Sequence, residues 1–302
     1  MYNGIINVYK EKGYTSFDVV ARLRGILHQK KIGHTGTLDP DAEGVLPVCL
    51  GQATKLVQIL TDKTKEYICV MRLGVRTDTE DMSGEILDSC EDIPDEESVR
   101  EAVLSFIGEI DQIPPMYSAI KQDGKRLYEL ARAGEVVERK ARRIKINGID
   151  IQKVELPLVT MKVDCGSGTY IRSLCRDIGD KLGCGAAMQS LIRTRSGAYN
   201  IDDALKLEQI EELAAEDKEG LLKGKLITME DFFSELPAVR SGEKGEKKLK
   251  NGNALYPEET ETEAGGYTGK VRMYDTEGHF TAVYDYDGKL YKCSLFLGLQ
   301  DI

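Results

Sequence analysis

The chain has no long hydrophobic run, no closely paired cysteines and few histidines, and each shortage removes a class of protein. No apolar stretch approaches the roughly 18 residues that a membrane span needs. The opening residues, Met1-Tyr2-Asn3-Gly4-Ile5-Ile6-Asn7, lack a basic segment followed by a hydrophobic one. A cytoplasmic protein with no membrane partner is expected. Seven cysteines are an odd number, none lies in a Cys-x-x-Cys pair, and Cys165, Cys175 and Cys184 are spaced unlike a zinc knuckle or ribbon. Reduced, structural thiols are therefore expected. Only His28, His34 and His279 could offer an imidazole, and neither a His-x-x-x-His pair nor an acidic metal loop occurs, so no metal site is expected. Positive charge is outweighed as well: 41 Lys and Arg face 51 Asp and Glu, a net charge of −10. On that scale a polyanionic partner is disfavoured.

Net charge is the wrong scale, because the cations are clustered. From Lys121 to Lys145 nine cations, among them Lys121, Lys125, Arg126, Arg132, Arg142 and Arg143, meet only four anions. This is a basic face on an acidic body, and composition alone reads it equally well as a solvated, salt-bridged helix surface. The 302 residues suffice for one large domain and a small one.

Periodicity places the elements. Val19, Val20, Leu23, Ile26 and Leu27 recur at helical spacing behind a Thr15-Ser16 cap. Lys65 to Leu73 alternates as a buried strand, with Tyr67 near its start. Ser98 to Ile107 predicts a surface helix stopped by Gly108. Val159, Met161, Val163 and Cys165 alternate into a glycine turn, Gly166 to Tyr170, followed by a helix over Ile171 to Leu182. Between Ser241 and Asn253 the composition turns to Gly and Lys, a plausible boundary. Beyond it, Tyr267–Tyr274, His279–Tyr286 and Lys289–Phe296 read as short strands, with Asp287-Gly288 a hairpin turn and the acidic run from Glu258 to Glu263 a solvated loop. From Arg240 onward nine basic residues meet eleven acidic ones, so affinity for a polyanion there must be local or weak.

The most informative stretch runs from Lys31 to Val48 and holds one carboxylate, Asp39, in Gly33-His34-Thr35-Gly36-Thr37-Leu38-Asp39-Pro40. Gly33 and Gly36 permit positive φ, and Pro40 restricts Asp39 to an extended conformation, so a short rigid loop is expected to aim the carboxylate.

This string resembles the motif of the TruB family, the bacterial-type tRNA pseudouridine synthases, and the likeness covers roughly residues 4 to 200 in separate blocks. Gly13-Tyr14-Thr15-Ser16, Arg76 to Asp81 with Gly84, Pro114 to Ala119, Gly124 to Arg132, and Gly168 to Ser173 with Gly183 to Ala186 each resemble a family block. The resemblance implies an α+β fold: a catalytic domain over residues 1–237 with a mixed, largely antiparallel sheet flanked by helices, a basic RNA-gripping insertion at about 121–145, and a small PUA-like β-barrel over 238–302. It implies isomerisation of a uridine in the T-loop of tRNA, the base being flipped into the site, with no cofactor. By position, Asp39 matches the nucleophile, Arg172 the arginine that pairs with it, and Tyr67 the tyrosine that stacks on the base and is a candidate to take the C5 proton. His34, Tyr170 and Leu191 match residues that touch the nucleotide or line the uracil pocket. Arg172 should lower the pKa of Asp39 by about one to three units. Asp41 and Glu43 add carboxylates where relatives are often apolar or hydroxylic, and would oppose ionisation if they pointed inward. Ile192 stands before Arg193 where many relatives have a second arginine, so phosphate contacts at that edge are expected to be fewer. A monomer without an obligate protein partner is expected. The alternatives are a guide-dependent synthase within a ribonucleoprotein and a noncatalytic tRNA-folding chaperone.

Overall fold

The structure is a computed structural model, and it describes residues 1–122, 124–135, 137–216, 224–261 and 267–297. The first half runs β1 (Gly4–Lys10), α1 (Ser16–Ile26), β2 (Ile32–His34), β3 (Glu43–Leu50), α2 (Val57–Thr61), β4 (Lys65–Leu73), β5 (Val75–Thr77), β6 (Ile86–Ser89), α3 (Glu96–Leu104) and β7 (Gly108–Gln112). There follow β8 (Lys121–Gln122), β9 (Lys125–Arg126), α4 (Leu127–Arg132), β10 (Arg142–Glu155), β11 (Leu158–Cys165), α5 (Ile171–Leu182), β12 (Ala186–Ser196), β13 (Tyr199–Asn200) and α6 (Leu207–Glu216). The chain then adds β14 (Ile227–Thr228), α7 (Met229–Phe232), β15 (Ala238–Arg240), α8 (Glu243–Leu249), β16 (Gly269–Tyr274), β17 (Phe280–Tyr286) and β18 (Tyr291–Phe296).

These elements form two compact units, one of Asn7–Val48 with Leu56–Glu216, the other of Met1–Ile6, Cys49–Lys55 and Asp217–Ile302. The larger unit is organised by a mixed sheet in the order β1-β3-β12-β4-β11-β10-β7. β12 lies parallel to β3, with Arg193 opposite Gly44, and antiparallel to β4, with Arg193 opposite Tyr67 and Leu191 opposite Cys69. β4, β11, β10 and β7 continue antiparallel. β12 bulges twice against β4, between Met188 and Ser190 and between Arg193 and Arg195.

Alternation decides which face is covered. In β4, Tyr67, Cys69, Met71 and Leu73 are buried while the residues between them are half-buried or exposed. They join Val159, Met161, Val163 and Cys165 of β11 in one apolar core roofed by Val99 and Val103 of α3 and by Ile171, Leu174, Cys175 and Ile178 of α5. All seven cysteines are free thiols, and Cys69 and Cys175 meet across this layer with sulfurs 3.6 Å apart. Helix α1 begins at a Thr15–Asp18 capping box, each side chain satisfying the other's backbone N–H. Helix α3 departs from expectation: Asp95 caps its start, it ends at Leu104, and Gly108 opens β7 instead of closing the helix.

In the smaller unit β15, β16, β17 and β18 form a four-stranded sheet around Val239, Leu249, Val271, Met273, Tyr284 and Tyr291. The Gly- and Lys-rich stretch between Ser241 and Asn253 contains α8. Of the acidic run, Thr262 and Glu263 lie outside the described residues, and Glu259 is no free loop charge: it accepts from Lys248 at 2.6 Å.

Candidate active site

Asp39 lies in the connection between β2 and β3, and backbone pins hold that connection from several sides. Leu38 N–H donates to Ser16 Oγ at 2.9 Å, tying the loop to the first turn of α1. Thr35 donates twice to Pro47 O, through its amide at 3.1 Å and its hydroxyl at 3.0 Å. Pro40 O accepts from Gly13 N–H at 2.9 Å and from Lys10 Nζ at 3.1 Å. Lys10 is fully buried and also donates to Tyr14 O at 2.5 Å and Glu11 O at 3.1 Å. Its pKa is driven down to about 8, first by burial, against the pull of Asp39, Glu43 and Asp41. These bonds tie the loop down, but Gly33 sits within β2 without a positive φ, and the special backbone belongs to Gly36 at +143° and Gly44 at +105°. A side chain at Gly44 would run into the backbone of Arg193, so glycine there permits the close approach of β3 and β12.

Arg172 rises from the first turn of α5 to meet Asp39. Its Nη2 is 3.1 Å from Asp39 Oδ1 and its Nε 3.0 Å from Oδ2, a side-on bidentate pair. The same guanidinium donates to Tyr117 O at 2.7 Å and Thr79 O at 3.1 Å, and stands 3.7 Å from Asp81. Three blocks far apart in the chain thus converge on one buried cation. Glu80, between Thr79 and Asp81, adopts φ +64° and is secured by Ser173 Oγ at 2.6 Å and by Arg176. That uncommon backbone turns the Thr79 carbonyl and the Asp81 carboxylate toward Arg172.

The electrostatics differ from expectation. Burial pushes the Asp39 carboxyl above its usual range; Arg172 is the strongest opposing influence, followed by a further rise from Asp81 and a lowering by Lys10. Both Asp39 oxygens nevertheless receive guanidinium hydrogens, which suits the carboxylate form. The second carboxylate at the site is Asp81. Asp41 is 63% exposed and 4.0 Å from Lys12, and its charge still adds a smaller rise to Asp39, as expected.

Tyr67 is buried on β4. Burial raises its phenol, and the positive charge of Arg193, its partner on β12, opposes this. Leu191 and Leu38 belong to the same core cluster as Tyr67. Tyr170, which caps α5, is oriented by Gln112, whose Oε1 accepts from Tyr170 N–H at 2.9 Å and whose Nε2 donates to Tyr170 O at 3.1 Å. Arg172 and Asp39 both act on its phenol. The His34 ring accepts from Gly36 N–H at 3.4 Å; burial, then the Arg193 charge, press its pKa below the usual value, so it is neutral near pH 7. Asp39 and Arg172 are in direct contact, Tyr67 and Tyr170 both feel the Asp39 charge, Leu191 shares the core of Leu38 and Tyr67, and His34 ends β2 ahead of the Asp39 loop. Lys10, Asp81, Gln112 and Arg193 complete the surroundings and were not singled out as site residues by sequence reasoning.

Among the described residues the basic stretch is no single helix but holds the β8–β9 hairpin, α4 and the start of β10. Lys125, Arg126, Arg132, Arg142 and Arg143 are exposed; the Lys121 side chain lies outside what is described. Arg126 and Arg132 flank the Tyr128 ring at 5.8 and 5.6 Å. Arg143 is engaged with Glu109 and Asp111 at 3.4 and 3.0 Å.

The family model for the N-terminal domain of TruB family pseudouridylate synthases matches residues 24–171. The model for the tRNA pseudouridylate synthase B C-terminal domain matches residues 172–234. A protein of Lachnoclostridium phytofermentans named tRNA pseudouridine synthase B is 52% identical over 95% of this chain and 96% of its own. This chain belongs to the TruB family. A Clostridium perfringens member of the same name is 43% identical over 98% of this chain and 99% of its own length. Among solved structures, a Cbf5-Nop10-Gar1 complex aligns with TM-score 0.70 at 29% identity over 97% of this chain and 84% of that one. An H/ACA RNP bound to a substrate RNA containing 2′-deoxyuridine aligns at 0.69 and 27% over 99% and 86%. The TruB assignment makes the enzyme an RNA pseudouridine synthase, and among the described residues no helix is long and apolar enough to cross a membrane.

Proposed function

We propose that this enzyme isomerises a uridine in the T-loop of tRNA to pseudouridine, with Asp39 as the group that attacks the nucleotide. The carrying observation is the bidentate Arg172–Asp39 pair at 3.0 and 3.1 Å, with Tyr67 and Tyr170 both feeling the Asp39 charge. A flipped uracil stacks on Tyr67 against Leu191, and Arg172 keeps Asp39 ionised until it reacts. The N1–C1′ bond breaks, the uracil turns, C5 bonds to C1′, and the proton lost from C5 is balanced by one gained at N1. Exposed cations around Tyr128 grip phosphates. Residues 238–302 act as a PUA-like RNA-binding domain, where Lys248 lies 5.4 Å from the Tyr256 ring and Arg272 lies 5.8 Å from that of Tyr274. The enzyme works in the cytoplasm as a monomer.

The test is incubation of the purified protein with an unmodified tRNA transcript, without cofactor, followed by carbodiimide mapping of pseudouridine. Asp39→Asn should abolish conversion while tRNA binding persists, because the amide keeps the shape and loses the nucleophile; turnover within tenfold of the parent refutes the assignment. The likeness to H/ACA structures supports a second reading, guide-dependent modification, which requires that a bare transcript remain unmodified.

A further inference from the structure

Arg193 carries more of the site than its place in the sequence announces. It is 1% exposed, among the largest fully buried side chains of the chain. Unlike Arg172, it forms no ion pair among the described residues. Its Nε donates to Val45 O at 2.7 Å and its Nη2 to Gly36 O at 3.3 Å, so both go to backbone on either side of Asp39. On the neighbouring strand it is the direct cross-strand partner of Tyr67, and its positive charge acts on the Tyr67 phenol. A buried guanidinium held by neutral carbonyls keeps an uncompensated positive charge.

We propose that Arg193 is the positioning residue that makes the Tyr67 oxygen usable as a base, fixing its direction and stabilising the phenolate it must become. The inference rests on the functional reading above. Once C5 is joined to C1′, the hydrogen on C5 has to leave. The Tyr67 phenolate takes that proton, the C5–H electron pair closes the C5=C6 double bond, the former C6=N1 pair moves onto N1, which takes up a proton from water, and neutral Tyr67 later returns its own proton to water. Without a cation the phenolate would form in a buried site with no counter-charge. The groups facing Tyr67 are Arg193 from β12, Cys165 from β11 and Asp39 from the loop, and of these Arg193 alone is a cation. Lys10, His34 and Lys65 also feel the Arg193 charge, and each is disfavoured as a cation by it.

The experiment compares the wild type, Arg193→Met and Arg193→Lys in single-turnover conversion of a tRNA transcript whose uridines carry hydrogen or deuterium at C5. Conversion by Arg193→Met should slow about a hundredfold near pH 7, as for the loss of a donor aimed at developing charge. Its isotope effect should exceed that of the wild type, because C5 proton removal becomes rate-limiting. Its rate should keep rising at alkaline pH beyond the point where the wild type levels off, and Arg193→Lys should recover part of the loss. A slowed variant with a wild-type isotope effect and pH profile makes Arg193 a fold residue only and overturns the proposal. Should both Arg193 variants fail to fold, the contact is read in Tyr67→Phe by arginine nitrogen-15 NMR: the Arg193 guanidinium resonances should move, and unmoved resonances refute it. If the wild type makes no pseudouridine in bare transcript, the functional reading fails first and this inference falls with it.

Discussion

Replacing Arg172 by methionine should move the acid limb of the pH–rate profile to higher pH by about one to three units, the size of a neighbouring opposite charge on a carboxylate. The wild-type Asp39 carboxyl is already raised by burial, and Arg172 is the largest force against that rise. In the proposed role as nucleophile Asp39 has to be ionised, so removing the cation leaves a larger protonated, inactive fraction at any pH below the new midpoint. One pKa unit corresponds to about 1.4 kcal/mol. The structure limits what else changes: Lys10 still acts on Asp39, and the loop keeps its ties to Ser16, Pro47 and Gly13. Stability should fall too, because the carbonyls of Tyr117 and Thr79 lose their donor and Asp81 loses its nearest cation. An unsatisfied buried polar group costs about 1–3 kcal/mol; Asp39 itself adds little, being 35% exposed and open to solvent screening. The assay is single-turnover pseudouridine formation at saturating enzyme from pH 5 to pH 9, with urea unfolding to confirm the fold. Arg172→Lys serves as the control: the charge stays while the fork is lost, so the rate should drop with a smaller pH shift. A methionine variant that is folded, slow and unshifted in pH would refute the ionisation role and leave Arg172 as scaffolding.

Two further outcomes are expected. Asp81→Asn keeps an oxygen for the hydrogen bonds from Ser83 and Thr79 but removes the charge that holds one edge of Arg172, so turnover should slow by about ten- to a hundredfold through misplacement; wild-type kinetics would show that the 3.7 Å approach is incidental. Changing Arg126, Arg132, Arg142 and Arg143 together to Gln should flatten the log–log salt dependence of tRNA binding by roughly two to three, since each phosphate contact is worth about 0.7 to 0.9 and Arg143 is already occupied by Glu109 and Asp111. An unchanged slope means that the RNA is held elsewhere.

How much of this was legible in the chain depended on whether a contact was local. α1, β4, β11 and α5 were readable because each buries one face and so writes its period into the apolar residues. The end of α3 was misread because Gly108 carries a positive φ for the start of a strand, and a glycine signals a break without saying of which kind. The pairing of Asp39 with Arg172 came from family resemblance, since 133 positions separate the two. Lys10 left no usable trace: a lysine ending a strand reads as a surface charge, and although Glu11 O and Tyr14 O are local, Pro40 O is brought to it only by the folded Asp39 loop. Asp81 lay inside a quoted block, yet its bearing on Asp39 runs through Arg172 and is invisible in spacing. Asp41, picked out because it is a neighbour in sequence, does raise Asp39, but less than Asp81 does.

The two bulges of β12 bear on what this protein can tolerate as its sequence changes. Each inserts one residue that β4 does not match, so the strand changes which side chains face the core at those points and nowhere between. Leu191 and Arg193 lie in the stretch between them, opposite Cys69 and Tyr67. Substitutions along β12 can be absorbed one side chain at a time, but loss or gain of a single residue within this stretch would turn the following positions over together and exchange buried for exposed. Length is therefore the more tightly held property of this strand, and a one-residue deletion here should be less forgivable than most replacements in the loops that surround the site.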